Sequence, residues 1–125
     1  MPDEPKILIV DDDPTLCRSL KVFLRDKYSD IVTAFSGKEA IELLASDTFD
    51  LILLDVFMPD INGYQVMDYI NKKGLKTSVI LISAYAPTEL ERKTPPKGVY
   101  DSITKPFDLE KLVTTVQNAL NKDNS

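Results

Sequence analysis

The sequence predicts an α/β domain, a doubly wound five-stranded parallel sheet covered by helices on both faces. Short apolar runs alternate with stretches of helical periodicity, five times along the chain. The runs, such as Ile7–Val10 and Leu51–Leu54, lack the in–out alternation of a strand with one wet face, so they read as strands buried on both sides. At 125 residues, with 43% hydrophobic and 28% charged side chains, the chain has the size and composition of one globular domain with a real core.

Each element follows from its own pattern. Lys6–Val10 is the first strand, and Pro14 suits the first turn of the helix that follows. Leu16, Leu20, Phe23 and Leu24 recur at helical spacing to about Lys27. Asp30–Ala34 is a second strand. Ser36 with Glu39 reads as a capping box, opening a helix whose apolar side is Ala40, Ile41, Leu43 and Leu44. Asp50–Asp55 is the third strand. The turn cluster Pro59-Asp60-Ile61-Asn62-Gly63 then leads to a helix marked by Val66, Met67 and Ile70, ending near Lys73. Ser78–Ser83 is the fourth strand. Thr88–Lys93 is a weak fourth helix that Pro95-Pro96 must stop, and Glu89, Glu91, Arg92 and Lys93 form its solvated face. Val99–Thr104 is a short fifth strand, and Leu109, Leu112, Val113, Val116 and Leu120 mark an amphipathic last helix.

Composition removes several classes of function. A net charge of −5 argues against phosphate-backbone binding, so no direct nucleic-acid contact is expected. Cys17 is the one cysteine, which excludes an internal disulfide and a thiolate metal cluster; at its helix position it is expected to be a small buried hydrophobe, in keeping with a cytoplasmic protein. Histidine is absent, so no imidazole can serve as base or ligand. No segment has the pattern of a signal peptide or membrane span.

The residues at the carboxyl ends of the strands carry the functional signal, because ligands of open α/β sheets bind there. They are Asp11, Asp12 and Asp13 after the first strand, Asp55 after the third, Ser83 after the fourth and Lys105 after the fifth. Two carboxylates about 4 Å apart repel by roughly 4 kcal/mol at an effective dielectric near 20. Such a cluster calls for a cation, and a hard divalent ion with oxygen ligands fits it. A hydroxyl and an ammonium facing that ion make a phosphoryl-handling site. The sequence has no GxxxxGK[ST] loop, so the acceptor of the phosphoryl group is expected to be a carboxylate of the protein itself.

The stretches ILIVDDDP, LILLDVFMPDINGYQV, ISAY and TKPF, at this spacing, resemble the response-regulator receiver domains of two-component signalling over nearly the whole chain. The resemblance implies a flavodoxin-like three-layer (βα)5 fold with strand order 2-1-3-4-5, spanning residues 5–121 between short flexible tails at 1–4 and 122–125. It implies that Asp55 is the phosphoacceptor and that Ser83 and Lys105 bind the phosphoryl oxygens. Mg²⁺ would be held by Asp12, Asp55, the Phe57 carbonyl and, mainly through water, Asp11. The phosphoryl group would come from a sensor histidine kinase or a phosphotransfer protein, and the signal would pass to an output domain or effector. A cis bond before Pro106 is also implied. Such a domain modifies itself and is not a turnover enzyme.

Two features depart from the family pattern. An aromatic residue is usual three positions before the lysine, but here that position is Ser102, and Tyr100 lies on the same face if the strand is regular. Pro95-Pro96 shorten the fourth helix, which implies a signalling face unlike that of dimerising transcription-factor receivers. Phe57 and Tyr85, two residues beyond Asp55 and Ser83, are large enough to screen an acyl phosphate from water, so slow autodephosphorylation is expected. Two rival readings exist. Asp11-Asp12-Asp13-Pro14-Thr15 also matches the DxDxT motif of haloacid-dehalogenase-like phosphatases, with Asp11 as nucleophile. A contact-only pseudo-receiver would need none of these acids.

Overall fold

A computed structural model describes residues 4–85, 88, 93 and 97–121. Its elements are β1 (Lys6–Val10), α1 (Pro14–Leu24), β2 (Asp30–Ala34), α2 (Gly37–Ser46), β3 (Leu51–Asp55), α3 (Gly63–Lys72), β4 (Ser78–Ser83), β5 (Val99–Thr104) and α4 (Leu109–Asn121). All strand pairs are parallel, in the order β2-β1-β3-β4-β5. The weak helix expected over 88–93 falls, apart from Thr88 and Lys93, outside the described residues, as do Pro95 and Pro96.

The strand residues divide by parity into two cores. Leu8, Val10, Ile52, Leu54, Val79 and Leu81 face α2 and α3, where they meet Ala40, Leu44, Val66, Met67 and Ile70. Ile7, Ile9, Leu51, Leu53, Ile80 and Ile82 face α1 and α4, where they meet Cys17, Leu20, Leu24, Leu112 and Val116. Every residue of β3 is buried, so this central strand has no wet face on which a polar residue is tolerated cheaply. Cys17 is 1% exposed and is part of the second core, as its position in the sequence implied. No helix among the described residues is long and apolar enough to cross a membrane.

Helix starts fix how the loops leave the sheet. Asp13 caps α1, its Oδ1 accepting from the N–H groups of Thr15 (3.0 Å) and Leu16 (3.4 Å), with Pro14 in the first turn. α1 stops at Leu24, earlier than the apolar spacing suggested, because the N–H groups of Lys27 and Tyr28 both turn back to the Leu24 carbonyl. Only half of the capping box expected at α2 forms: Ser36 Oγ accepts from Glu39 N–H (3.1 Å), but Glu39 Oε1 accepts from Phe35 N–H (2.7 Å), not from Ser36. The reciprocal box sits instead at α3, between Asn62 and Gln65, at 2.9 Å in both directions.

The fifth strand corrects the reading of Tyr100. Val79 pairs with Val99 but Ile80 pairs with Asp101, so β5 carries a register shift at Tyr100. Val99 therefore packs with the α2/α3 core and Ile103 with the α1/α4 core, although both are odd-numbered. Period-two counting across this irregularity fails, and the inference that Tyr100 shares a face with Ser102 lapses with it. The Lys105–Pro106 peptide is cis, as the family resemblance implied.

Candidate functional site at the carboxyl end of the sheet

Asp11 is the first residue beyond β1. Its N–H donates to the Ala34 carbonyl (3.1 Å), which extends the β1–β2 pairing by one step and fixes the carboxyl group. That carboxyl is 2% exposed and fully engaged: Oδ1 accepts from Asp13 N–H (2.9 Å) and Oδ2 from Lys105 Nζ (2.9 Å). Beneath it, Cys17 Sγ donates to the Asp11 carbonyl (3.4 Å); burial first, and then the Asp11 charge, push this thiol up to about 12, so it stays protonated and inert.

Asp55 ends β3 opposite Ile82 and is 4% exposed. The N–H of Val56 donates to the Ile82 carbonyl (2.9 Å), which holds the acid against β4. Lys105, just past β5, donates its backbone N–H to the Ser83 carbonyl (2.7 Å) and places Nζ 3.6 Å from Asp55 Oδ1. One oxygen from each of Asp11, Asp12 and Asp55 lies within 4.8 Å of the others, and Asp12 alone of the three is exposed.

The charges set the electrostatics. Burial pushes the Asp55 carboxyl up to about 6 from an ordinary 3.8; the negative charges of Asp11 and Asp12 add to this, while Lys105 and a hydrogen bond from Phe57 N–H offset part of it. Burial lowers the affinity of Lys105 for its proton, but the hydrogen bond and charge of Asp11, with the charge of Asp55, outweigh this and raise its pKa. Three carboxylates therefore face one ammonium, and the chemistry of the donor set suits a small hard cation that takes few carboxylates.

The remaining predicted residues border the cluster. Ser83 Oγ accepts from Tyr85 N–H (3.1 Å), an arrangement that orients the hydroxyl and leaves its proton to donate elsewhere. Phe57 and Tyr85, 55% and 70% exposed, meet edge to face with centroids 5.3 Å apart at 84°. Asp13, the second aspartate of the DxDxT reading, is spent on the α1 cap and does not join the cluster.

Two glycines do more than the sequence reading gave them, which named Gly63 only as the end of a turn cluster and did not single out Gly37. At Gly63 a Cβ would fall 2.6 Å from the Asp55 carbonyl oxygen and 2.9 Å from Val56 Cα, so α3 begins in direct contact with the backbone of Asp55. At Gly37 a Cβ would fall 2.5 Å from the Ile61 carbonyl oxygen. The only signal in the sequence was glycine at helix starts, where a capping residue or a better helix former is more usual.

Comparison with known proteins agrees with this geometry. The family model described as "Response regulator receiver domain" matches residues 7–117. The transcriptional regulatory protein CiaR of Streptococcus pneumoniae is 37% identical over 117 residues, which cover 94% of this chain and 52% of CiaR. The response regulator protein PilR of Pseudomonas aeruginosa is 38% identical over 115 residues, covering 92% of this chain and 26% of PilR. The chain thus spans about half or less of these curated relatives. Among solved structures, the receiver domain of a putative LuxO repressor from Vibrio parahaemolyticus superposes with a TM-score of 0.89 at 32% identity, covering 96% of this chain and 92% of that one. TrrA from Thermotoga maritima, solved in complex with Mg²⁺-BeF, gives 0.80 at 32% identity, covering 93% and 99%.

Proposed function

The chain belongs to the response regulator receiver domain family, and on that premise we propose that Asp55 is its phosphoacceptor, with Asp11, Asp12, Ser83 and Lys105 completing the site. Receiver domains are the phosphoacceptor modules of two-component signalling; they work with sensor kinases and output domains and bind Mg²⁺ in an acidic pocket. The observation that carries the assignment is the convergence of three carboxylates and Lys105 from three separate strand ends. The Mg²⁺-BeF complex of the similar TrrA supports it.

The ion would be held by Asp12, Asp55 and the Phe57 carbonyl, with Asp11 acting mainly through water, and when bound it would supply positive charge to the phosphoryl oxygens. A carboxylate oxygen of Asp55 attacks the phosphorus of a phosphohistidine on the donor. The new P–O bond forms as the P–N bond breaks, the released imidazole takes a proton, and Asp55 becomes an acyl phosphate. Lys105, 2.9 Å from Asp11 and 3.6 Å from Asp55, needs only a short swing to reach the added phosphoryl group. The Ser83 hydroxyl donates to another of its oxygens, which draws the β4 loop inward and biases a two-state element. Hydrolysis returns the carboxylate and inorganic phosphate, so the domain, over residues 5–121, changes itself and turns over no separate substrate.

The donor is a sensor kinase or phosphotransfer protein, and it docks over a shallow apolar concavity lined by Arg18, Val22, Phe23 and Leu109. Both walls begin at the site: α1 starts at the Asp13 cap and α4 follows Lys105 by four residues. Val22, Phe23 and Leu109 are 46%, 36% and 36% exposed and leave apolar area open on this face. The cytoplasm is the compartment this reading implies, and the single buried thiol suits it.

The test is intact-mass spectrometry after incubation with acetyl phosphate and Mg²⁺, beside an Asp55→Asn variant and an EDTA control. The expected result is a single added phosphoryl group, absent from both controls. Labelling that persists in Asp55→Asn would overturn the assignment.

A further inference from the structure

We propose that Gly37, on a different element and outside the site, is a positioning residue for the β3–α3 loop that carries Phe57. The inference rests on the assignment of Asp55 and the Mg²⁺ ligands above. Gly37 is the first residue of α2 and is buried. A Cβ there would lie 2.5 Å from the Ile61 carbonyl oxygen and 2.7 Å from both Ile61 Cβ and Cγ2. Neither the backbone oxygen nor a Cβ atom can rotate aside, so the absence of a side chain at 37 is what lets Ile61 sit against the start of α2.

Ile61 is the last loop residue before the α3 cap, and the loop it belongs to has little freedom. At its near end Val56 is bonded to Ile82 and accepts from Gly63 N–H at 2.9 Å. At its far end the Asn62–Gln65 box and the contact of Gly63 with the Asp55 backbone fix the start of α3. Asp60 between them turns the chain with a φ of 67°, the left-handed region that aspartate adopts more readily than most residues with a side chain. Met58 is buried in the α2/α3 core. A displaced Ile61 must therefore move the segment between two fixed ends, and Phe57 is within that segment. It lies two residues beyond Asp55, and its carbonyl is the proposed ligand. The close contact at Gly37 thus acts on the metal and phosphoryl site through the loop, with no atom of Gly37 reaching it.

The experiment compares Gly37→Ala and Ile61→Ala with Leu44→Ala, which truncates a core residue of α2 about two helical turns from Gly37. Mg²⁺ affinity is measured by calorimetry, and hydrogen exchange of the Phe57–Gly63 amides is measured without metal. We expect Gly37→Ala to weaken Mg²⁺ binding by about tenfold, as disturbed supporting contacts of metal ligands do, and to speed exchange at Gly63. Phosphorylation at saturating Mg²⁺ should also slow, since small misplacements of reacting groups reduce rate by up to about a hundredfold. Leu44→Ala should lower the melting temperature yet leave Mg²⁺ affinity within about twofold. If Gly37→Ala does not fold, Ile61→Ala decides, because it loosens the same contact from a partly exposed residue. Unchanged Mg²⁺ affinity in the folded variants, or an equal loss in Leu44→Ala, would overturn the proposal. Failure of the wild type to bind Mg²⁺ or take up a phosphoryl group would instead overturn the underlying site assignment.

Discussion

Replacing Asp55 with Asn should make the metal-free protein more stable, although it destroys the proposed acceptor. In the folded chain the Asp55 carboxyl titrates near 6, against 3.8 ordinarily. That difference of about two pKa units corresponds to roughly 3 kcal/mol by which the ionised form is disfavoured on folding. The figure is net of the attraction to Lys105 and of the bond from Phe57 N–H, which an Asn side-chain oxygen can still accept. An uncharged amide beside Asp11 should recover about 1–3 kcal/mol, or on the order of 5–10 °C in melting temperature for a domain of this size. The sign with pH is fixed. Between 3.8 and about 6 the folded state binds more protons at Asp55 than the unfolded state does, so this residue's contribution to stability is full below 3.8 and is lost as pH rises through about 6. Urea unfolding in EDTA should therefore show a gap between variant and wild type that is near zero at pH 4 and widest at pH 7.5. Excess Mg²⁺ should close or reverse it, because the ion binds the native wild type and adds stability by mass action. A metal-free variant that melts at or below the wild type at pH 7.5, or a gap that does not change with pH, would refute this electrostatic account.

The edge-to-face pair of Phe57 and Tyr85 joins the loops that follow β3 and β4, and Tyr85→Ala should shorten the lifetime of an acyl phosphate at the proposed acceptor by about two- to tenfold, the range set by one aromatic contact. Loss of label after removal of donor measures this; an unchanged lifetime, or a Phe57→Asn variant slower than wild type, would remove the screening role. Phe23→Ala at the apolar concavity should slow phosphorylation by the kinase while leaving the acetyl phosphate reaction intact, and equal slowing of both would show that the surface is not a donor contact.

Much of this was legible in the sequence because buried parallel strands announce themselves. Ile7–Val10 and Leu51–Leu54 are apolar at every position since both faces are covered, and the acids that follow them stand out against that background. The strand ends in turn assign Asp11, Asp55, Ser83 and Lys105 to a common rim from the sequence alone. What the sequence did not carry lay between elements. Phe57 and Tyr85 are far apart in the chain, and nothing in their local pattern says that their rings touch. The register shift at Tyr100 is a property of the β4–β5 pair, and β5 alone reads as a regular strand. The contact of Gly37 with Ile61 joins the start of α2 to the β3–α3 loop, and a glycine at a helix start gives no hint of what lies 2.5 Å from its missing side chain.

Among the described residues, Lys105 is the cation that meets the opposed charges of the site. It is bonded to Asp11 at 2.9 Å and stands off Asp55 at 3.6 Å, so the ammonium is committed chiefly to Asp11 and not to the proposed acceptor. Adding a phosphoryl group to Asp55 raises the local negative charge and offers Lys105 several strong acceptor oxygens. The balance of its two contacts then shifts from Asp11 toward Asp55. The backbone N–H of Lys105 donates to the Ser83 carbonyl at 2.7 Å, and Ser83 Oγ accepts from the Tyr85 N–H at 3.1 Å, so the residue that would read the added charge is already joined through its main chain to the end of β4.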